Sequence, residues 1–353
     1  MKPTKPKSNL LSLIEGSDFQ REFSFLRRAT RPSLDQQLAR LRGAYRNRTL
    51  CIVLGAGVSV PYGLPAWNRL LEALLFTVFE SEERDDPKEL ADILPKVIDL
   101  SPLIVARFLR KNLPNLENQV QRIIYEDLAT EHSALMQQLK NLCVAPGMLS
   151  PPDSIITYNY DDILEDALER AGLPLKFQSI DRDGVQVPPD TLPIYHVHGY
   201  LPRPARDSGA PLPITLAEDA YHAQYRDAYS WANLIQLDKF RTKVCLFIGL
   251  SLTDPNQRRL LDIALASRAP EDAHHIALFR RESAERVASR LKILGKSGIG
   301  SLSPEMIARR MDEFRESDAL SLGVEPLWVD EFDEVPGLLH RVYESSSNPI
   351  APP

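Results

Sequence analysis

Cysteine is scarce in this chain of 353 residues, which contains only Cys51, Cys143 and Cys245. An odd number of widely separated cysteines excludes a disulfide-stapled scaffold and is typical of proteins in the reducing cytosol. It also excludes a zinc site of four cysteines, because three residues cannot supply four ligands. The sequence therefore predicts a fold that depends on neither disulfides nor a four-cysteine zinc site.

Long apolar runs and an excess of positive charge are also missing. No stretch approaches the roughly 18 apolar residues that a membrane-spanning helix needs. The N-terminal lysines are not followed by the apolar segment of an export signal. Lys and Arg number 42 against 48 Asp and Glu, a net charge of −6, so direct binding to nucleic acid is not expected. These features predict a cytoplasmic protein with no membrane attachment.

The composition is otherwise that of a globular protein, with 43% hydrophobic and 25% charged residues. Short apolar segments alternate with helical patterns, which predicts an α/β fold with a Rossmann-like, doubly wound parallel sheet. The strongest strand candidates are 50–54, 154–157, 193–197, 243–248, 275–279 and 325–329. The predicted organisation is an N-terminal arm (1–32), one domain (33–345) with a helical insert at about 82–150, and a C-terminal tail (346–353).

The first segment of chemical interest is Gly55-Ala56-Gly57, which follows a predicted strand and continues to Ser59. Glycines at such a turn let the backbone approach a phosphate and direct N–H groups towards it. The segment is not the dinucleotide fingerprint GxGxxG, because Val60 occupies the third glycine position. Nucleotide binding and an ordinary strand–turn–helix crossing both fit this pattern.

Asn159 and Asp161 follow the next strand, where a helix opens. An aspartate there, Asp161 or Asp162, is explained by capping of the helix. Capping does not explain the asparagine, whose side-chain amide is suited to hold a ribose hydroxyl or an attacking water.

His196 and His198 precede Gly199 at the end of another strand, where alternation would place both rings on the same face. A metal site built on the pair is disfavoured, since no third ligand is evident. A histidine in a ligand-side loop suits a general base, because its pKa lies near neutrality. The alternative is a hydrogen-bonded core histidine, and we favour it for His196 over His198.

Gly249 and Ser251 follow a fourth strand and form a second loop in which the backbone can approach a ligand closely. Asp254 precedes Pro255, a pair typical of a helix N-cap and first helical residue. The carboxyl ends of the strands meet at one edge of a doubly wound sheet. We therefore expect the four loops to lie together.

Taken in order, the segments GAGxS, GxPxW, TxNYDxxLE, HG and GxSxxDxN resemble the signature of bacterial sirtuin-like proteins. The resemblance covers roughly residues 45–340 and includes the segment Glu218 to Tyr221. It implies an NAD-binding cleft in which Asn159 and His198 are catalytic, Asn159 holding the ribose or positioning water and His198 acting as general base. The residues that it assigns to NAD binding are Gly55, Ala56, Gly57, Ser59, Pro65, Trp67, Asp161, Gly249, Ser251, Asp254 and Asn256.

The chain departs from the sirtuins that deacylate proteins, because those enzymes carry two cysteine pairs after the HG motif. Residues 199–243 contain no cysteine. The zinc module helps to form the acyl-lysine groove, so its absence favours an NAD+ hydrolase (NADase) that works without zinc and releases nicotinamide and ADP-ribose. The alternatives are a deacylase or ADP-ribosyltransferase that uses the same cleft, and a non-catalytic sensor that binds NAD or ADP-ribose.

Sirtuin-like proteins without zinc and with a helical insert resemble NAD-depleting effectors of bacterial antiviral (antiphage) defence, which implies abortive infection as the role. From the length that remains outside the predicted sheet domain, we expect no separate sensor domain. We therefore expect activation by homo-oligomer formation or by a separate protein subunit. By resemblance, such a subunit would be a HerA-like ATPase, an Argonaute-type protein or a nucleotide-processing enzyme.

Overall fold

The computed structural model describes most of the chain. Most of the predicted N-terminal arm, most of the predicted tail and part of the predicted insert lie outside the described residues. The described segments are residues 32–81, 86–98, 101–129, 133–144, 150–172, 175–203, 212–267, 275–293 and 303–347.

Seven strands in these segments form one parallel sheet with the order β3-β4-β2-β1-β5-β6-β7. This confirms the predicted α/β fold with a doubly wound, Rossmann-like sheet. Between β1 and β5 the order in which strands are added to the sheet reverses. These two parallel strands pair from their first to their last residue. The strands are β1 (Leu50–Leu54), β2 (Ser154–Thr157), β3 (Phe177–Ile180), β4 (Leu192–His196), β5 (Val244–Ile248), β6 (His275–Arg280) and β7 (Val324–Val329).

Thirteen α-helices lie in the described part of the chain and cover the two faces of the sheet. The helices are α1 (Leu34–Arg46), α2 (Trp67–Ser81), α3 (Pro87–Ile98), α4 (Pro102–Asn112), α5 (Leu116–Glu126), α6 (Ala134–Val144), α7 (Ile163–Arg170), α8 (Glu218–Arg226), α9 (Trp231–Thr242), α10 (Pro255–Leu265), α11 (Ala284–Ile293), α12 (Pro304–Ser321) and α13 (Val335–Ser347). None of these helices is long and apolar enough to cross a membrane.

The central strand β1 shows why its sequence is apolar without alternation. Its five residues are buried. Ile52 packs into the core cluster shared with α1 and the helices after α2, whereas Val53 packs into the cluster shared with α9 and α10. A parallel strand covered by helices on both faces has no solvent side, so every position is apolar.

The sequence pattern of residues 217–240 predicts a single helix, but the structure has two helices there, α8 and α9, so this prediction is wrong. The break is stabilised by Asn233, whose side-chain amide donates to the main-chain oxygens of Gln224 and Asp227. Strand β3 was not predicted, because it lies at the sheet edge and only Ile180 of its four residues is fully buried.

The regular elements among the described residues between α2 and β2 are four helices, α3 to α6. Polar contacts hold this region against the sheet domain. The Arg107 guanidinium pairs with Glu218 of α8 at 2.9 Å, and the Gln121 amide donates to the Pro202 main-chain oxygen over 2.6 Å. The limits of the domain and of the insert themselves remain a prediction.

Candidate active site

The loops that follow β1, β2, β4 and β5 meet at one edge of the sheet and line a cavity of about 590 Å³. The edge is the switch point between β1 and β5, where doubly wound sheets bind their ligands. The volume is that of a small-molecule pocket, about 300–1,000 Å³. The predicted site residues that line it are Gly55, Ala56, Ser59, Pro65, Trp67, Asn159, Asp161, His198, Gly249, Ser251 and Asp254.

Two glycine loops cross at the bottom of this cavity. Gly57 donates its N–H to the main-chain oxygen of Gly249 over 3.0 Å, and Gly55 donates to that of Ile248 over 3.0 Å. A Cβ atom on Gly57 would lie 2.7 Å from the Gly249 Cα, and Gly249 itself has a φ of 71°. Glycine at these positions is therefore required by the approach of the two backbones.

Two predicted site residues lie outside the set that lines the cavity. Gly57 is one, and its glycine is explained by the loop crossing. Asn256 is the other, because its side chain turns into the protein, where it donates to Asn233 Oδ1 over 2.9 Å and accepts from Arg259 over 2.7 Å. Binding of a ligand by these two side chains has no support in this geometry, and their assignment stays a prediction.

Asn159 connects the β2 loop to the first glycine loop. Its side-chain amide donates to the Gly55 main-chain oxygen and to the Ser59 hydroxyl, each over 3.1 Å. Both amide hydrogens are used in this way, so Oδ1 is the atom of Asn159 that can serve a ligand. Its own N–H donates to the Thr157 hydroxyl over 3.1 Å, which fixes the loop at the strand end.

Asp161 lies beside Asn159 and is buried. Its Oδ1 accepts the N–H of Ile163 over 3.1 Å at the start of α7, as helix capping predicts. Burial raises the pKa of the Asp161 carboxyl to about 6, although hydrogen bonds from the Ser59 hydroxyl and the Ile163 N–H oppose this rise. The Ser59 hydroxyl thus joins Asn159 and Asp161, since it accepts from one and donates to the other.

Asp162, for which helix capping was the predicted explanation, has a different role. Its side chain is buried and makes no cap bond to α7. It accepts from the Arg203 guanidinium over 2.9 Å and from the Tyr125 hydroxyl over 3.1 Å. One carboxylate therefore ties the β2 loop to helix α5 and to the chain after β4.

The two histidines of the β4 segment have different neighbours, so the expectation of a shared face was wrong. Strand β4 ends at His196, and the chain then turns at His198 and Gly199, where φ is 104°. His196 Nε2 lies 2.7 Å from Glu165 Oε1 in the core. His196 is thus a hydrogen-bonded core histidine, the alternative that we favoured for it. Burial by itself would raise the pKa of Glu165, but the His196 ring holds it below its usual value.

His198 faces the cavity between two tyrosines. Its ring meets the Tyr158 ring edge to face, with centroids 4.7 Å apart, and the Tyr221 ring at 5.9 Å. Burial lowers the pKa of His198, and the carboxylate of Asp254 only partly opposes this change. His198 Nε2 lies 3.5 Å from Asp254 Oδ2 without a hydrogen bond. The ring is therefore held neutral near pH 7, as a general base requires.

Asp254 is engaged by its own helix and by Tyr221. Its Oδ1 accepts the Gln257 N–H over 2.7 Å, which confirms the predicted N-cap of α10. Its Oδ2 accepts the Tyr221 hydroxyl over 2.6 Å. Burial and the Asp254 carboxylate raise the pKa of Tyr221 far above its usual value, so the hydroxyl keeps its proton and remains a donor.

Several side chains of the cavity were not predicted as site residues. Leu103 and Ile124 come from α4 and α5, so the helical region forms one wall of the cavity. Tyr158 and Gln257 line the side next to His198. The position of Tyr158 inside the motif before Asn159 was an available signal, whereas the wall residues are ordinary apolar residues of amphipathic helices.

The charges of the cavity are carboxylates. Asp161 and Asp254 line it, and no Lys or Arg is among its lining residues in the described segments. The first turn of α10 also borders it, but Pro255 has no N–H and the Gln257 N–H is bonded to the Asp254 carboxylate. No group of three or more potential metal ligands occurs among the described residues. Because no basic side chain of the described residues lines the cavity, the anionic part of a ligand would depend on main-chain N–H groups there.

The comparison with protein families bears on this site. Residues 153–300 match the model of the SIR2-like domain. The match supports a sirtuin-like family. It includes the loops after β2, β4 and β5 and covers less than half of the chain. No curated protein matches the chain.

Members of the SIR2-like family are NAD-dependent enzymes, so the match indicates an activity that involves NAD. The first glycine loop lies before the matched residues, at Gly55 to Ser59. It is nevertheless bonded to Asn159 and Gly249, which belong to the matched part. The cavity therefore joins the SIR2-like residues to the first glycine loop in one site.

Proposed function

We propose that this chain is an NAD+ hydrolase that cleaves the bond between nicotinamide and ribose. The observation that carries the proposal is the meeting of Asn159 and a neutral His198 in one cavity with two glycine loops. The pyrophosphate would lie against the glycine loops, where the N–H groups of Ala56 and Ser251 take no part in the bonds of the loop crossing. The assignment of NAD rests on the SIR2-like match.

The reaction adds water across the scissile bond. The water oxygen bonds to the ribose carbon, and the electron pair of the broken bond leaves with nicotinamide. Asn159 Oδ1 would orient the water or a ribose hydroxyl, and His198 would accept the proton that the water loses. Exclusion of bulk water by the bound substrate would favour departure of nicotinamide through an oxocarbenium-like state. The products are nicotinamide and ADP-ribose.

Hydrolysis is favoured over deacylation by what surrounds the cavity. Residues 199–243 contain no cysteine, so the zinc module that forms an acyl-lysine groove in deacylases has no ligands there. Helices α4 and α5 cover the cavity instead, through Leu103 and Ile124. We propose on these grounds that the chain works without zinc and that water is the acceptor of ADP-ribose.

The test is a product assay with NAD+ and the purified full chain, alone at high concentration and with extract of infected cells added as the source of a trigger. We expect nicotinamide and ADP-ribose in equal amounts. Replacement His198→Ala should lower the rate by about 10²–10⁴-fold. The matched control is His222→Ala, which removes an exposed histidine of α8 and should leave the rate unchanged. Full activity of a folded His198→Ala variant would contradict the proposed role.

The alternative activities give different products in the same assay. With an acylated peptide added, an acylated ADP-ribose indicates a deacylase, and peptide modified with ADP-ribose indicates a transferase. NAD binding measured by calorimetry without any nicotinamide release, alone or with a partner, indicates a sensor. Each of these results would replace hydrolysis as the function.

We also propose that the hydrolase is an effector of abortive infection in antiphage defence. Loss of NAD harms the cell, so activity must await a trigger, through self-assembly or a separate subunit. A trigger that binds the insert could act on the cavity, because the helices of the insert form a cavity wall and contact the sheet domain at Glu218 and Pro202. Infected cells should lose NAD only when the chain carries His198. NAD that stays constant during infection would contradict this role.

A further inference from the structure

Two buried polar groups in the cavity lack a partner. The side chain of Gln257 is fully buried, and beyond its interaction with the Tyr158 hydroxyl neither its nitrogen nor its oxygen has a hydrogen-bond partner of good geometry in the described structure. The Nε2 atom of His198 is also buried without a hydrogen-bond partner in the described structure. Buried polar groups of folded proteins are almost always hydrogen-bonded, and an unsatisfied one is costly. Three unsatisfied atoms in one cavity therefore indicate that a ligand completes them.

These atoms belong to one corner of the cavity, because Asp254 and Tyr158 contact both residues. Asp254 accepts the main-chain N–H of Gln257 through Oδ1 and has Oδ2 3.5 Å from His198 Nε2. The Tyr158 ring lies against His198. The Tyr158 hydroxyl donates to Gln236 and lies next to the Gln257 side-chain amide. Burial raises the pKa of Tyr158, and the interaction with that amide partly offsets the rise. A single small ligand group can thus reach Gln257 and His198 together.

The chemistry of the corner restricts that ligand group. The Gln257 amide offers a donor and an acceptor side by side, and a neutral His198 nitrogen adds a third position. The Asp254 carboxylate repels an anion such as phosphate. Two adjacent hydroxyls fit all these conditions, since each is uncharged and both donates and accepts. A ribose presents such a pair.

We propose that Gln257 binds the hydroxyls of the ribose that carries nicotinamide and thereby positions it at His198. This inference rests on the proposed function, which places the bond to be cleaved beside His198. The adenosine ribose is excluded from this corner by the same reasoning, because it lies at the far end of the dinucleotide. Gln257 is thus a positioning residue of the site.

The test compares two ligands that differ in this ribose. ADP-ribose contains it, whereas ADP retains only the adenosine ribose. The variant Gln257→Met keeps the length of the side chain and removes its polar atoms. We expect calorimetry to show ADP-ribose binding weakened about tenfold or more, because hydroxyls of the ligand lose their partner. ADP binding should be unchanged.

Thermal unfolding of the free protein separates this role from a structural one. A buried amide without good hydrogen bonds destabilises the fold, so Gln257→Met should keep or raise the melting temperature. The matched control is Gln37→Met, since the buried Gln37 amide donates to the Pro326 oxygen over 3.0 Å, away from the cavity. That control should lower the melting temperature without changing ADP-ribose binding. If Gln257→Met does not fold, Gln257→Asn withdraws the amide by one methylene and should weaken ADP-ribose selectively.

The outcomes distinguish the inference from the proposed function. If the wild type cleaves NAD+ and Gln257→Met binds ADP-ribose normally, the inference is overturned and the hydrolase stands. An equal loss of ADP and ADP-ribose binding overturns it as well. If the wild type binds ADP-ribose without cleaving NAD+, and the variant binds ADP-ribose alone more weakly, the inference stands and the hydrolase does not. A wild type that binds no ADP-ribose overturns both.

Discussion

The side-chain amide of Asn159 donates a hydrogen bond to the Ser59 hydroxyl over 3.1 Å. The bond joins two loops whose residues are 100 positions apart in the chain. Because the Ser59 hydroxyl then donates to Asp161, the three side chains form one network against the cavity. The orientation of Asn159 is therefore set before any ligand binds. Polar groups that are preorganised in this way stabilise a transition state most effectively.

Replacement of Asn159 tests this network. Asn159→Ala removes the side-chain oxygen that faces the ligand and the two bonds that fix it. We expect the rate of nicotinamide release to fall about 10²–10³-fold, as when a preorganised polar group is lost. The control Asn112→Ala alters an exposed residue at the end of α4 and should leave the rate unchanged. An active, folded Asn159→Ala variant would mean that Asn159 only supports the loop.

The pH dependence of catalysis should report on His198 and its neighbour Tyr221. Burial lowers the pKa of His198, so the rate should hold from neutral pH to below about 6.5, the ordinary value of histidine, and then fall. In Tyr221→Phe, Asp254 Oδ2 loses its donor and becomes available to a protonated His198. The acidic limb of the pH–rate profile should then move to higher pH. An unmoved limb would show that His198 is not the titrating group.

Asp161→Asn should stabilise the protein, with a defined pH dependence. The pKa of Asp161 is raised by burial to about 6, so the folded chain favours the protonated form. Above pH 6 the carboxylate is ionised at a cost relative to the unfolded chain. At pH 8, urea unfolding should therefore show Asp161→Asn more stable, by at most about 3 kcal/mol. The gain should shrink as pH falls from 6 to 4. A gain of equal size at pH 4 would be incompatible with this origin.

Asp162→Ala should destabilise the protein strongly. It leaves the Arg203 guanidinium and the Tyr125 hydroxyl without their buried carboxylate. Breaking a buried pair from one side costs about 3–5 kcal/mol, which urea unfolding measures directly. The control Asp166→Ala removes a more exposed carboxylate that also pairs with Arg203, and its effect should be smaller. Comparable losses in the two variants would show that Asp162 does not anchor the loops.

The sequence predicted what depends on local pattern. The apolar strand before Gly55 and the N-cap at Asp254 are both properties of a few adjacent residues. Their meeting at one edge followed from the rules of a parallel sheet. The cavity that both loops line agrees with that prediction.

Contacts between distant residues could not be predicted. Asp162 looked like a helix cap, because its partners Tyr125 and Arg203 lie 37 and 41 positions away. His196 and His198 looked alike in sequence until the end of β4 separated them. The sequence does not mark Gln257 as a site residue. Whether a buried amide finds hydrogen-bond partners depends on the residues that surround it in the folded protein.

The crossing of the two glycine loops has a consequence for how ligand preference can change over evolution. The cavity floor is main chain, held by the bonds from Gly57 to Gly249 and from Gly55 to Ile248. A floor without side chains offers no position at which a substitution could adjust selectivity. Divergence among related chains must therefore arise at the walls, where Trp67, Leu103 and their neighbours can be exchanged while the floor stays the same.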